Sequence, residues 1–103
     1  MVMDRYAEIR RKALPLLKLY VSRMAVFGST VRGEATKQSG IDLLIKLKPS
    51  NLRPKLGLFK LMEIEESLQE KLGREVDLVT EDSLSPYIRP YIEKGKIVIY
   101  EEG

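Results

Sequence analysis

Val26-Phe27-Gly28-Ser29-Thr30-Val31-Arg32-Gly33-Glu34-Ala35, followed by Ser39-Gly40-Ile41-Asp42-Leu43-Leu44-Ile45, is the stretch on which the fold turns. Its first residues form a short apolar strand that stops at Gly28-Ser29. Glycine there allows close backbone approach to a ligand, or a φ that residues with side chains avoid. A strand that ends in such a turn and opens into a helical turn leaves backbone N–H groups free to meet an anion. After a polar loop, Glu34 to Ser39, the chain returns as a strand over 41–47. Period 2 puts Ile41, Leu43, Ile45 and Leu47 on one face, and Asp42 with Leu44 on the other. Gly40 stands two residues before Asp42 and shares its face. A phosphate cradle with a carboxylate beside it suggests metal-assisted chemistry on a nucleotide.

Upstream, Asp4 to about Ala13 reads as a helix, with Asp4 as N-cap and Tyr6, Ile9 and Ala13 on one face. Pro15 does not belong in an undisturbed helix interior, so the sequence predicts either a kink or a second short helix from near Leu14. Arg23 to Phe27 is the first strand. Downstream, Pro49, Ser50, Asn51 and Pro54 mark a loop. Leu56 to Leu72 is the clearest helix, with Leu61, Ile64, Leu68 and Leu72 in one stripe. Glu63, Glu65, Glu66, Gln69, Glu70 and Lys71 fall on its wet side, and Gly73 sits where the helix should end. Glu75 to Thr80 alternates Val76 and Leu78 against Asp77 and Val79. A carboxylate within such a strand is costly to bury unpaired, so Asp77 calls for a cation or a hydrogen-bonding partner. A turn over 81–86, a short helix over 87–94 broken at Pro90 and a last strand over 96–100 complete an α/β order.

Composition limits the chemistry. The chain has 103 residues, 44% hydrophobic and 32% charged, which fits one soluble domain spanning 1–103. No apolar run approaches the ~18 residues of a membrane span, and the N-terminus lacks a secretory apolar region. A cytoplasmic setting is the expectation. With no cysteine and no histidine, thiolate and imidazole metal sites are excluded. Carboxylates remain, and they suit a hard cation such as Mg²⁺. The net charge of +3 is modest and Arg10-Arg11-Lys12 is the only tight basic run, which favours a solvated helix face over a nucleic-acid surface. An oligomer is left open.

The central stretch resembles the signature of the minimal nucleotidyltransferases (MNT proteins), small members of the DNA polymerase β-like superfamily. That signature is Gly-Ser, ten residues, then Asp-x-Asp. Here Gly28-Ser29 is followed by Thr30 to Ser39 and then Gly40-Ile41-Asp42. The second aspartate matches; at the first the chain has Gly40. Glu75-Val76-Asp77-Leu78-Val79-Thr80 matches the family's later strand and its third carboxylate. The resemblance implies a nucleotidyltransferase fold, a small mixed sheet with helices mainly on one side. It implies that Gly28 and Ser29 hold the phosphates of ATP, with Arg32 within reach of them. It gives Asp42 and Asp77 the Mg²⁺, and Asp77 the role of general base. It also implies a partner, a HEPN-domain toxin whose tyrosine receives AMP, with this chain as the antitoxin. Gly40 keeps a second reading open, an antitoxin or regulatory subunit that acts by binding alone, and Glu34 is a conceivable substitute ligand.

Overall fold

The computed structural model describes residues 6–28 and 40–102. In chain order these form α1 (Ala7–Leu17), β1 (Val21–Phe27), β2 (Ile41–Leu47), a 3-10 turn (Ser50–Leu52), α2 (Leu58–Leu72), β3 (Val76–Thr80), a second 3-10 turn (Glu81–Ser83), α3 (Arg89–Gly95) and β4 (Ile97–Glu101). The strands make one sheet in the order β3-β2-β1-β4. β1 pairs antiparallel with β2 and β4, while β2 and β3 run parallel. The expected α/β fold, a small mixed sheet with helices mainly on one side, is the fold observed.

Alternation along the strands supplies the inner face. Met24 and Val26, then Ile41, Leu43 and Ile45, then Val76 share one cluster with Ile9, Ala13 and Leu17 of α1 and Ile64 and Leu68 of α2. The helical residues recur at four-residue intervals, so one stripe of each helix lies on the sheet. Full burial of a side chain of this size contributes about 1.5–3 kcal/mol, which makes this layer the main source of stability. A register shift between Val21 and Arg23 puts an extra residue into β1. It lets Val21 turn into the core (0% exposed) while Arg23 joins the opposite face. β4 carries a similar shift opposite Met24 and Ala25, and the carbonyl of Ile99 there accepts a hydrogen bond from Arg10 Nε at 2.8 Å.

Three expectations are corrected. α1 runs through Pro15 to Leu17 as one helix, so no second helix starts at Leu14. The proline lies two residues from the end and removes only the bond to the Arg11 carbonyl. Pro90 opens α3 and does not break it, because in the first turn its missing N–H has no helical partner to lose. Glu65 and Gln69 are not on a wet face. Gln69 Oε1 accepts from the Val76 N–H at 3.2 Å and Glu65 Oε2 from the Leu78 N–H at 3.0 Å. Four helical residues rise about 6 Å and two strand residues about 6.6 Å, so i, i+4 on α2 matches i, i+2 on β3. The exposed edge of β3 is thereby blunted. Asp4 lies outside the described residues. Gly73 ends α2 in the left-handed conformation, φ 65°, as its position predicts.

The basic run is partly engaged within the chain. Besides Arg10, Lys12 Nζ donates to Glu8 at 2.9 Å and to the Lys71 carbonyl at 2.7 Å, tying α1 to the last turn of α2. Among the described residues no helix is long and apolar enough to cross a membrane.

Candidate active site

The outer face of the sheet carries the polar chemistry. Asp42 lies opposite Phe27 in the antiparallel β1–β2 ladder, and Gly28 follows Phe27 directly. Gly28 has φ 65°, and a Cβ added there would collide with Asp42 Oδ2. The left-handed backbone conformation favours glycine here, and the absence of a side chain leaves the space that the Asp42 carboxylate occupies. The turn expected at Gly28 is where the sequence places it, and Asp42 is held at its side, half-buried.

Asp77 reaches the same place from the other flank. β2 and β3 pair in parallel with Asp42 directly beside Asp77, and neighbouring strands stand about 4.8 Å apart. Paired residues of adjacent strands project to the same face, so the two carboxylates share it. Asp77 is exposed, so the sequence expectation of a buried carboxylate in need of a partner does not hold for it. Sequence alternation assigns a face within each strand; only the ladder brings the two aspartates together.

At Gly40, an added Cβ would lie 3.5 Å from the Glu75 carbonyl oxygen and 3.6 Å from Glu75 Cβ, ordinary contact distances. The fold therefore admits a Cβ at position 40, where the MNT signature carries an aspartate. Ser29, Arg32 and Glu34 lie outside the described residues.

Among the described residues no three carboxylates converge on one point as a closed metal cage. Two register-matched aspartates are nonetheless the donor set Mg²⁺ uses when substrate phosphates and water complete its shell. The residues present fit Mg²⁺ bound together with a nucleotide. They do not form a metal site complete by itself.

Below the aspartates, on the same face, lies a pair that sequence reasoning missed. Glu81 is 7% exposed. Its carboxylate accepts from Arg23 Nε at 3.0 Å and from Arg23 NH2 at 2.9 Å. Arg23 belongs to β1 and Glu81 follows β3, so the pair bridges over β2. Arg23 NH1 also meets Glu101 at 3.3 Å, and Arg89 donates to the Glu81 carbonyl, which hangs the start of α3 on the same corner. The carboxylate hydrogen-bonded to it raises the Arg23 pKa above its ordinary value. Two residues 58 positions apart give no local signal; the only hint is a charge at the end of an apolar strand.

Residues 4–99 match the model of the nucleotidyltransferase domain family. The "Putative protein adenylyltransferase MJ1217" of Methanocaldococcus jannaschii is 39% identical over 95 residues, 89% of this chain and 92% of its own. A solved "putative minimal nucleotidyltransferase" is 32% identical with a TM-score of 0.69, over 86% of this chain and 87% of that one. Two further solved structures share the fold at lower identity. One is a "toxin-antitoxin with AMP-PNP", TM-score 0.73 and 21% identical, over 89% of this chain and 73% of that one. The other holds "tri-AMPylated Shewanella oneidensis HEPN toxin in complex with MNT antitoxin", TM-score 0.60 and 17% identical, over 89% and 71%. By family match, identity and fold, the chain belongs to the nucleotidyltransferase domain family in its minimal form.

Proposed function

We propose that this chain is an antitoxin that transfers AMP from ATP to a tyrosine hydroxyl of a partner HEPN-domain toxin. The observation that carries the reading is the register of Asp42 beside Asp77, with Asp42 packed against the left-handed turn at Gly28. Gly28 and Ser29 cradle the triphosphate with their backbone N–H groups and the serine hydroxyl, and Arg32 adds a charge-assisted donor. Asp42 and Asp77 would hold Mg²⁺, and the cation, when bound, would supply charge neutralisation for an in-line displacement at phosphorus. The acceptor oxygen bonds to the α-phosphorus, the bond from that phosphorus to the bridging oxygen breaks, and pyrophosphate leaves. The hydroxyl proton passes to the Asp77 carboxylate, which its exposure leaves accessible to an acceptor brought from outside. The names of the relatives support this reading: one is called a protein adenylyltransferase, and the fold occurs in a complex with an AMPylated HEPN toxin. A cytoplasmic setting goes with it.

Gly40 favours a second reading, an antitoxin that binds its toxin without turnover, because one carboxylate of the signature is absent. Label position separates the two. The chain is co-purified with a co-expressed HEPN-domain protein and supplied with Mg²⁺ and ATP labelled at either the α- or the γ-phosphate. Nucleotidyl transfer puts the α-label and not the γ-label on the toxin. A stable complex that takes up neither label supports the binding-only reading; separate elution of the two proteins on gel filtration refutes the partner.

A further inference from the structure

The site described above lacks the carboxylate of position 40, and we propose that Glu75, on the neighbouring strand, supplies it to the divalent cation. The inference rests on the functional reading just given and names a ligand that the family signature does not.

Ile41 N–H donates to the Glu75 carbonyl at 2.8 Å, one of the bonds that set the Ile41–Val76 pair, and the same register carried one residue back puts Gly40 beside Glu75. Gly40 and Glu75 are therefore lateral neighbours. The Cβ position of residue 40 lies 3.6 Å from Glu75 Cβ, so both project to the same side of the sheet. Alternation adds the rest: Gly40, the residue before β2, lies on the face of Asp42, and Glu75, the residue before β3, on the face of Asp77. The four positions are the corners of one small patch, and three of them are carboxylates. The fourth, Gly40, has no side chain, and its Cβ position is in van der Waals contact with Glu75.

Gly40 does not need to be glycine for its backbone. Its φ lies outside the left-handed region, unlike those of Gly28 and Gly73. What glycine provides is room. Glutamate has one methylene more than aspartate, so a carboxylate rooted on β3 can lean over the vacant Cβ position toward Asp42. Glu75 is exposed and free to change rotamer, and three carboxylates side by side repel one another until a cation joins them. Convergence of the three therefore needs the charge of a cation to offset that repulsion.

Mn²⁺ is the probe, its binding read by the electron paramagnetic resonance of the free ion in the presence of AMP-PNP. The chain is compared with Glu75→Gln, Gly40→Asp and the double variant Gly40→Asp/Glu75→Gln. Loss of one charged ligand should weaken Mn²⁺ binding in Glu75→Gln about tenfold or more. The double variant should recover to within about threefold of the starting chain, because an aspartate at 40 resumes the role. Equal Mn²⁺ affinity for the chain and Glu75→Gln would overturn the assignment while leaving the site intact. Binding by Gly40→Asp but not by the chain itself would overturn it too, since Glu75 would then fail to substitute. No binding by any variant would sink the site reading along with it. The metal-free melting temperature of Glu75→Gln should be unchanged, and a large drop would make Glu75 a structural residue and end the proposal.

Discussion

The two faces of the sheet come from the same strands and do opposite work. On β2, Ile41, Leu43 and Ile45 are at most 1% exposed and lie under both helices, whereas Asp42 points the other way, toward Asp77 and the Gly28 turn. The inner face is redundant: many apolar contacts share the load, and none has a chemistry of its own. The outer face is sparse, with a few carboxylates whose neighbours are set by register. Stability and function are therefore separable residue by residue along a single strand. The exceptions are Leu44 and its ladder partner Ala25, each 1% exposed on the face of Asp42, and the Arg23–Glu81 pair, structural contacts on the functional face.

The sharpest way to break the inner face is Leu43→Ala. Its side chain is fully buried, and truncation should cost about 2–5 kcal/mol, visible as a lower denaturation midpoint; a loss below about 1 kcal/mol would mean that the layer can collapse around the gap. Glu81→Gln comes next. Removing one partner of a buried ion pair costs about 3–5 kcal/mol, and the residual contact of Arg23 with Glu101 should reduce this to about 2 kcal/mol. The pair variant Arg23→Met/Glu81→Leu should recover most of the loss, which an unfolding curve can decide.

A smaller effect is expected at Glu93. Its hydrogen bond and ion pair with Lys96 at 2.7 Å hold its pKa below the ordinary 4.5. A carboxylate depressed in the folded state contributes stability that is present above about pH 4.5 and lost as pH falls below it. Comparing melting temperatures of Glu93→Gln and the starting chain from pH 6 down to pH 3 should show a small gap that closes at the acid end. A gap that widens on acidification would reverse the sign. Asp77→Asn should change stability least, within about 0.5 kcal/mol for an exposed residue.

These effects follow what the sequence could and could not reveal. Periodicity reads faces, and it placed Ile41, Leu43, Ile64 and Leu68 inside and Asp42 outside. The Gly28 turn and the end of α2 at Gly73 were legible because each needs a left-handed φ. Register between strands was not legible, since the pairing of Asp42 with Asp77 depends on how β2 and β3 slide together. Nor was the role of Glu65 and Gln69, whose charge and polarity read as solvent-facing until the edge N–H groups of β3 are seen opposite them. Arg23 and Glu81 escaped for a similar reason. A buried ion pair between distant residues looks, in sequence, like two surface charges.

Mass spectrometry of the toxin after incubation with this chain, ATP and Mg²⁺ tests the central claim most directly, with Asp77→Asn run in parallel. The account predicts AMP adducts on a toxin tyrosine with the starting chain. With Asp77→Asn it predicts a rate lower by about 10²-fold or more, as for loss of a general base, at an unchanged melting temperature. No adduct with the starting chain, or adducts formed equally fast by Asp77→Asn, would contradict it.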